Sequence, residues 1–231
     1  MEVKRNCNSI ELVSECGTER FPICDFTVPF LEWQLEDRQA IFTDISRQDI
    51  VPSFAAHLPV MTTVNANGSA FPFHTSTKGI GLLPAGEHLQ HYCDFFASAI
   101  EEGESLSREE NKRRRVEAIR SFYRSDHIAQ NKLGLLEIFH GSSFRNIEAN
   151  PLVSLQFTSP GPKYKSFQIN GVAEIIEEPD LNFQFIWLAR RLFEYESFHV
   201  HHPEYKTGYV VWISEVYDKA PNRGTAGRRL K

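Results

Sequence analysis

The stretch LLEIFHGSSFRNIEANPLVSLQFTSPGPKYKSFQINGVAEII, residues 135–176, decides the fold. Its alternation of apolar and polar residues predicts three strands, at 135–139, 152–157 and 166–176. A short helix is predicted between the first two strands, ending before Asn150–Pro151, because the residue before a proline is pushed out of the helical region. We expect the rest of the chain to complete the sheet that these strands begin.

A hairpin is predicted upstream of this stretch. Its first strand is Val60–Asn65, its turn is Asn67–Gly68, a strong hairpin signal, and its returning strand runs from Ser69 to about Ile80. Pro72 cannot donate a ladder hydrogen bond, so this part of the strand should lie at an edge or a bulge. The alternation places four residues of the returning strand on one face: Phe71, Phe73, Thr75 and Thr77.

Helical patterns interrupt the strands in three places. The chain at 31–45 has roughly helical apolar spacing, and the segment at about 84–132 predicts a helical insertion of two helices. The second of these helices has a capping box at Ser107 and is predicted to continue to about Asn131. A further helix is predicted from Asp180 to about Phe193, and a last strand follows at 209–216.

Residues 1–30 show no clean period and are expected to form an N-terminal arm or irregular cap, ahead of one domain at 31–231. Strands joined mainly by hairpins and short links suggest a mainly β protein, an antiparallel barrel with helices outside it. The basic run Lys112–Arg115 lies among glutamates and is expected to be a solvated helix face, although an anionic ligand or acidic partner surface would fit it too.

The bulk composition excludes several classes of protein. The net charge of −5 gives no electrostatic case for nucleic-acid binding. No run of about 18 apolar residues indicates a membrane span, and the N-terminus lacks the apolar core of a secretion signal, so we expect a cytoplasmic protein. The four cysteines have no zinc-ligand spacing and are expected to be scattered, reduced thiols.

The turn His140–Asn146 is the first candidate site. Small residues there expose backbone N–H groups, Ser142 and Ser143 add hydroxyl donors, a helix begins, and Arg145 is close by. These are the features that seat a phosphate at a helix N-terminus. Gly-Ser-Ser before a helix is also an ordinary turn and N-cap, so the residues alone leave both interpretations open.

Three segments, GSAFPFHTSTK (68–78), FHGSSFRNIEANPLVSLQF (139–157) and FQINGVAEII (167–176), resemble successive segments of pyridoxamine 5′-phosphate oxidase-like proteins. The resemblance covers about half of the chain. It implies a split antiparallel β-barrel that binds FMN in a groove at a homodimer interface. The cofactor contacts that it implies are Thr75, Ser76, Lys78, Phe139, His140, Ser142, Ser143, Arg145, Ser166 and Gln168, and His140 is the one candidate for a catalytic role.

The chain departs from this family's pattern at charged positions. Phe73 stands where the oxidase has an arginine, and Ser142 and Ser143 stand where it has an Arg-Lys pair. Fewer positive charges should weaken the hold on a phosphate dianion, unless Lys78 or Arg145 compensates. The C-terminal Arg-x-His substrate motif is missing, so vitamin B6 oxidation is disfavoured.

Histidines form a second candidate site. His199, His201 and His202 lie close together in the sequence, and His88 and His91 share a helix face, so these five histidines are candidate metal or haem ligands. Without an acidic or cysteine ligand at tight spacing, surface histidines are the more ordinary interpretation and no metal site is predicted.

The sequence therefore predicts an FMN-dependent oxidoreductase that acts on a small organic metabolite, for example in a specialised biosynthetic pathway. Deazaflavin F420 is an alternative cofactor. The first alternative function is a haem-binding or haem-degrading split-barrel protein. The second is a non-catalytic split-barrel binding protein whose phosphate site has been lost.

Overall fold

The structure is a computed structural model that describes residues 1–47, 54–66, 68–124, 126–159, 164–193, 204–221 and 227–231. The main sheet is antiparallel, with seven strands in the order β5-β4-β8-β9-β10-β7-β6 and a short eighth strand paired to β10. Its strands are β4 (Val60–Val64), β5 (Phe73–Thr77), β6 (Gly81–Pro84), β7 (Ile128–Glu137), β8 (Leu152–Ser159), β9 (Lys165–Ile176), β10 (Thr207–Asp218) and β11 (Arg228–Arg229).

The mainly β fold with peripheral helices and an inserted helical hairpin is confirmed. The sheet is not closed into a barrel by a ladder in the described ranges, since β5 and β6 are its two edge strands. Contact across the opening is made by side chains, because Lys78 at the end of β5 reaches Glu137 at the end of β7.

The three strands of the organising stretch form as the sequence predicts. In β8 the alternation places Val153, Leu155 and Phe157 in the core. In β9, Gly171 is required by packing, because a Cβ built there would lie 2.3 Å from the carbonyl oxygen of Trp212 on β10. The predicted strand at 135–139 is the end of a longer strand, β7, which stops at Glu137.

The predicted returning strand from Ser69 to Ile80 is divided in two. After β5, the Ile80 N–H donates to the His57 carbonyl (2.8 Å), so the chain at Ile80 does not continue the ladder with β4. The following strand, β6, pairs with β7 at the opposite edge of the sheet. Pro72 precedes β5, and β5 is an edge strand as predicted. Phe71 and Phe73 lie in the exposed part of this region.

The helical insertion lies between β6 and β7 and consists of α2 (Gly86–Gly103) and α3 (Arg108–Phe122). The capping box between Ser107 and Glu110 is present at the start of α3. The prediction that α3 continues to Asn131 is wrong, because pairing with β6 and β10 draws the chain into β7 from Ile128 onward.

The basic run on α3 is not solvated throughout. Arg115 is buried, and its guanidinium donates to the Asn111 side-chain oxygen (2.6 Å) and to the Arg191 carbonyl (2.7 Å). Arg191 ends α5 (Leu181–Arg191), whose N-terminus is capped by Asp180. Arg115 therefore caps the C-terminus of a neighbouring helix, which the sequence interpretation of a solvated face missed.

The first 22 residues are regular rather than an irregular cap. They form a three-stranded antiparallel meander of β1 (Glu2–Asn6), β2 (Ser9–Ser14) and β3 (Gly17–Pro22), with Ile10 and Leu12 of β2 buried. Alternation in β2 was present in the sequence but too short to stand out.

Helix α1 (Val28–Arg47) packs an aromatic group onto the open end of the sheet. The Phe30 ring lies 5.3 Å from Phe157 on β8 and 5.4 Å from Phe167 on β9, both edge-on, and Trp33 stacks on Phe167. Edge-to-face pairs of this kind stabilise the fold in addition to the burial of the rings.

Among the described residues, no helix is long and apolar enough to cross a membrane.

Candidate functional site

A buried carboxylate lies at the centre of the candidate site. Glu137 ends β7, and its side chain is 2% exposed. Lys78 donates to Glu137 Oε2 at 2.7 Å, the Tyr209 hydroxyl donates to the same oxygen at 2.8 Å, and the Phe139 N–H donates to Oε1 at 3.2 Å. The apolar strand LLEIF places this carboxylate inside the sheet because Glu137 shares the inward face of Leu135.

The electrostatics of this group follow from its contacts. Burial alone would raise the pKa of Glu137, but the hydrogen bonds from Lys78, Tyr209 and the Phe139 N–H, together with the Lys78 charge, hold the pKa below its usual value. Burial and the Glu137 charge raise the pKa of Tyr209, so its hydroxyl stays a donor. Glu137 and Lys78 therefore form an ion pair inside the fold.

A second polar group lies where α4 (Ser142–Ala149) meets β5. The helix starts at Gly141, which supplies no side-chain cap, so the amides of the first turn have no side-chain acceptor at the N-cap. The hydroxyl oxygens of Ser76 and Ser143 are 2.9 Å apart. Ser143 is buried, so this contact positions the start of α4 against β5.

Arg145 provides the cation of this helix start. Its side chain is exposed, and its guanidinium makes two long contacts of 3.4 Å, to the His140 carbonyl and to the Ser142 hydroxyl. Contacts of that length are weak. Arg145 can therefore turn toward an anion at little cost.

His140 is held in an unusual backbone conformation. Its φ of 45° is in the left-handed region, which costs a residue with a Cβ about 1–2 kcal/mol. The ring is fixed by Thr207, whose hydroxyl lies 3.0 Å from Nε2, and by the edge of Phe144, at a centroid distance of 4.5 Å. Strained residues held by their surroundings cluster at functional sites, which supports His140 as a candidate.

Asn146 is a residue that sequence reasoning missed. It is fully buried and joins α4 to the strands, because its amide donates to the Thr63 hydroxyl (2.9 Å) and its oxygen accepts from the Ala66 N–H (3.1 Å). Glu137, Tyr209 and Thr207 were also missed. Only Glu137 gave a signal, as a lone carboxylate in an apolar strand.

The predicted cofactor contacts do not all come together. Ser76, Lys78, Ser143 and His140 belong to the two groups around Glu137 and α4. Thr75 points to the opposite, outer face of β5. The β9 residues Ser166 and Gln168 lie on the same outer face of the sheet. There Gln168 donates to Ser154 (3.3 Å), and Ser166, which is buried, accepts from Gln156 (2.9 Å). Phe139 is 69% exposed.

Two of the five histidine candidates, His88 and His91, lie among the described residues. His199, His201 and His202 lie outside the described residues. The His88 ring lies 4.5 Å from His127, whereas the His91 ring stacks on Phe95. Among the residues that the structure describes, no group of three or more His, Cys, Asp or Glu side chains is placed to hold a metal ion. All four cysteines are free thiols, as expected.

Comparison with protein-family profiles finds no matching family, and comparison with curated proteins finds no matching relative. Solved structures do match. HupZ from Group A Streptococcus is 12% identical, with a TM-score of 0.40 over 81% of this chain and 95% of that chain. An FMN-binding protein from Syntrophomonas wolfei is 8% identical, with a TM-score of 0.41 over 83% and 95% of the two chains.

A protein from Lactobacillus delbrueckii, provisionally described as a pyridoxamine 5′-phosphate oxidase, is 15% identical, with a TM-score of 0.40 over 84% of this chain and 93% of that chain. Because these identities are low, residue roles are not transferred from the similar structures. They are argued from the contacts of this chain's own side chains.

Proposed function

We propose that this protein binds FMN through the start of α4 and acts as an oxidoreductase on a small organic metabolite. The observation that carries the proposal is the convergence of donors at one place: the uncapped first turn of α4, the Ser142 and Ser143 hydroxyls, Ser76 and the Arg145 guanidinium. Helix N-termini favour anions, and an arginine adds a charge-assisted hydrogen bond.

The donor set fits a phosphate, with one of the two cations expected from the sequence, Lys78 and Arg145, engaged elsewhere. Lys78 was expected to contact the phosphate, but its ammonium is held by Glu137 at 2.7 Å. Arg145 is then the cation that faces the helix start, and we expect a phosphate affinity lower than a two-cation site would give. Bound there, FMN would supply electron and hydride transfer.

The residues next to the helix start have assignable tasks. Phe139 presents an exposed aromatic face that can pack against a flat ring system. His140, held by Thr207, can hold or pass a proton at the ring nitrogen that is not bound to the threonine hydroxyl. The hydrogen bonds among Glu137, Lys78 and Tyr209 hold the end of β7 against the start of β10. They therefore position the two residues that follow β7 in this site, Phe139 and His140.

Assembly as a homodimer is part of this proposal. Large apolar side chains are exposed on β5 and just before it: Phe73 is 64% exposed and Phe71 76%. Such a patch on an edge strand is unfavourable in water and is typical of a covered surface. Light scattering on the purified protein should give twice the chain mass, and the Phe71→Ser/Phe73→Ser variant should give the monomer mass.

The proposal is tested by titrating the purified protein with FMN and with riboflavin, followed by flavin fluorescence. FMN should bind more tightly than riboflavin, because only FMN carries the phosphate. Arg145→Gln should weaken FMN binding roughly tenfold and leave riboflavin unchanged, since one charge-assisted hydrogen bond contributes about 1.5 kcal/mol or more. Arg20→Gln, at an exposed arginine paired to Glu11 on the distant β-meander, is the matched control.

One observation favours the non-catalytic alternative, a split-barrel binding protein without a flavin. The Lys78–Glu137 ion pair removes a cation from the predicted phosphate site. Binding of neither FMN nor riboflavin would overturn the flavin proposal and support this alternative. Equal binding of the two would overturn the phosphate site at the start of α4. The haem alternative rests on histidines outside the described residues, and a Soret band on haem titration, lost when they are replaced, would support it.

A further inference from the structure

A cavity of about 170 Å³ lies between α1, the β6–β7 edge of the sheet and α5. Its walls are mostly aliphatic and aromatic, with Phe42 and Ile45 from α1, Phe122 from α3, Ile186 from α5, and Phe193 just after α5. An engineered apolar cavity of about 150 Å³ binds benzene. The space is therefore of the size of one substituted ring or a short aliphatic chain, and too small for a flavin.

The charged residues that line the cavity in the described part of the chain are arginines. Two arginines, Arg38 and Arg190, line the cavity, and no aspartate or glutamate is among its lining residues in the described ranges. Arg190 lies at the side of Tyr205, whose hydroxyl accepts from Nε at 3.3 Å. An apolar cavity with cationic walls favours an anionic ligand over a neutral or basic one of the same shape.

Arg38 carries the argument further because it is 6% exposed and bonds only to neutral groups. Its guanidinium donates to the Ile80 carbonyl (2.5 Å) and to the Ala56 carbonyl (3.4 Å), and Nη1 lies 2.9 Å from Nδ1 of His57. The neighbouring Asp37 carboxylate accepts from the Ala56 N–H (3.3 Å) and interacts with Arg38 through its charge, without a hydrogen bond to the guanidinium. A buried guanidinium without an ion-paired carboxylate is costly to hold.

One N–H of Arg38 has no acceptor. The Nε atom is buried and makes no hydrogen bond. His57 Nδ1 lies 2.9 Å from Arg38 Nη1 and 2.7 Å from the Ile80 carbonyl oxygen. It can accept from the guanidinium or donate to the carbonyl, but it cannot do both. A buried guanidinium that has an unpaired N–H and no carboxylate hydrogen-bonded to it favours a monoanion, whereas a dianion would bring a second charge to desolvate.

We propose that the cavity between α1, β7 and α5 is a binding site for a small monocarboxylate, with its ring or short chain among the aromatic and aliphatic walls and its carboxylate at Arg38. This site is separate from the α4 site proposed for the flavin phosphate. No residue of the Lys78–Glu137 group or of α4 lines it in the part of the chain that is described.

The test compares benzoate with benzamide, a neutral molecule of almost the same shape, by titration followed with two-dimensional NMR on the full chain. Benzoate should bind at least tenfold more tightly than benzamide and shift the amide signals of α1 and α5. In Arg38→Met the preference for benzoate should disappear. In Ala189→Phe, which adds bulk to the cavity wall on α5, both probes should lose binding.

Matched controls separate this site from the flavin site. Arg145→Met should leave benzoate binding unchanged, and benzoate should not compete with FMN. If the unaltered protein binds benzoate but does not bind FMN, the proposed function alone is overturned. Equal binding of benzoate and benzamide to the unaltered protein, or binding of neither at their solubility limits, would overturn the carboxylate site. These two outcomes are read on the unaltered chain, so they stand even if Arg38→Met does not fold.

Discussion

Lys78 and Arg38 are both cations withdrawn from solvent, and their surroundings differ in one respect. The Lys78 ammonium lies 2.7 Å from the Glu137 carboxylate, which is itself bonded to Tyr209. The Arg38 guanidinium contacts carbonyl oxygens and an imidazole, and one of its N–H groups has no acceptor. A cation with a buried counter-charge contributes to the fold, whereas one without it remains available to an anionic ligand.

The largest effect is expected for Lys78→Met. Removing the ammonium leaves Glu137 buried without its counter-charge, which costs about 3–5 kcal/mol in the free energy of unfolding. Urea denaturation monitored by tryptophan fluorescence measures this. The double variant Lys78→Met/Glu137→Gln should recover much of the loss, and Lys206→Met, at an exposed pair with Glu204, should change stability by less than about 0.5 kcal/mol. A loss below about 1 kcal/mol for Lys78→Met would show that the pair is not structural.

A smaller loss is expected for Arg38→Met in the absence of ligand. The substitution removes the guanidinium donor to the neutral Ile80 and Ala56 carbonyls, at about 1–3 kcal/mol, but it also removes a buried charge that has no ion-paired partner. The same urea denaturation compares it directly with Lys78→Met. A loss as large as that of Lys78→Met would contradict the distinction between the two cations.

His140 gives a smaller, conformational effect. Both His140→Ala and His140→Gly lose the contacts to Thr207 and Phe144, so their difference reports the backbone alone. Because φ is 45°, the glycine variant should be more stable than the alanine variant by about 1 kcal/mol. At the neighbouring Phe139 the order should reverse, with Phe139→Ala more stable than Phe139→Gly, since glycine has the higher chain entropy there.

The smallest effect is the pH dependence of the ion pair, because burial of Glu137 opposes most of the lowering by Lys78. The folded pKa of Glu137 lies below its ordinary value of 4.5, so its contribution is present above that value and is lost as the pH falls through the folded pKa. Urea midpoints measured between about pH 6 and pH 3 should fall less steeply for Lys78→Met/Glu137→Gln than for the unaltered protein. Equal slopes would contradict the assignment.

The sequence predicted the elements whose signals are local. Strand β8 alternates cleanly from Leu152, the helix before Asn150–Pro151 stops where the proline requires, and Ser107 caps α3. The errors lie where pairing partners decide. Ile128 begins β7, a strand that pairs with β6 and β10, although the residues before it have a helical pattern. The short alternation of β2 forms a strand because β1 and β3 pair with it.

By itself the sequence determined the mainly β class, the inserted helical pair and the donor-rich turn at 140–146, because each depends on residues close together along the chain. Only the tertiary structure decided what the charged residues do. Lys78 meets Glu137 across 59 positions, and Arg38 meets the Ile80 carbonyl across 42. Whether a cation is neutralised or left available depends on such distant partners and on burial, and neither is encoded in local spacing.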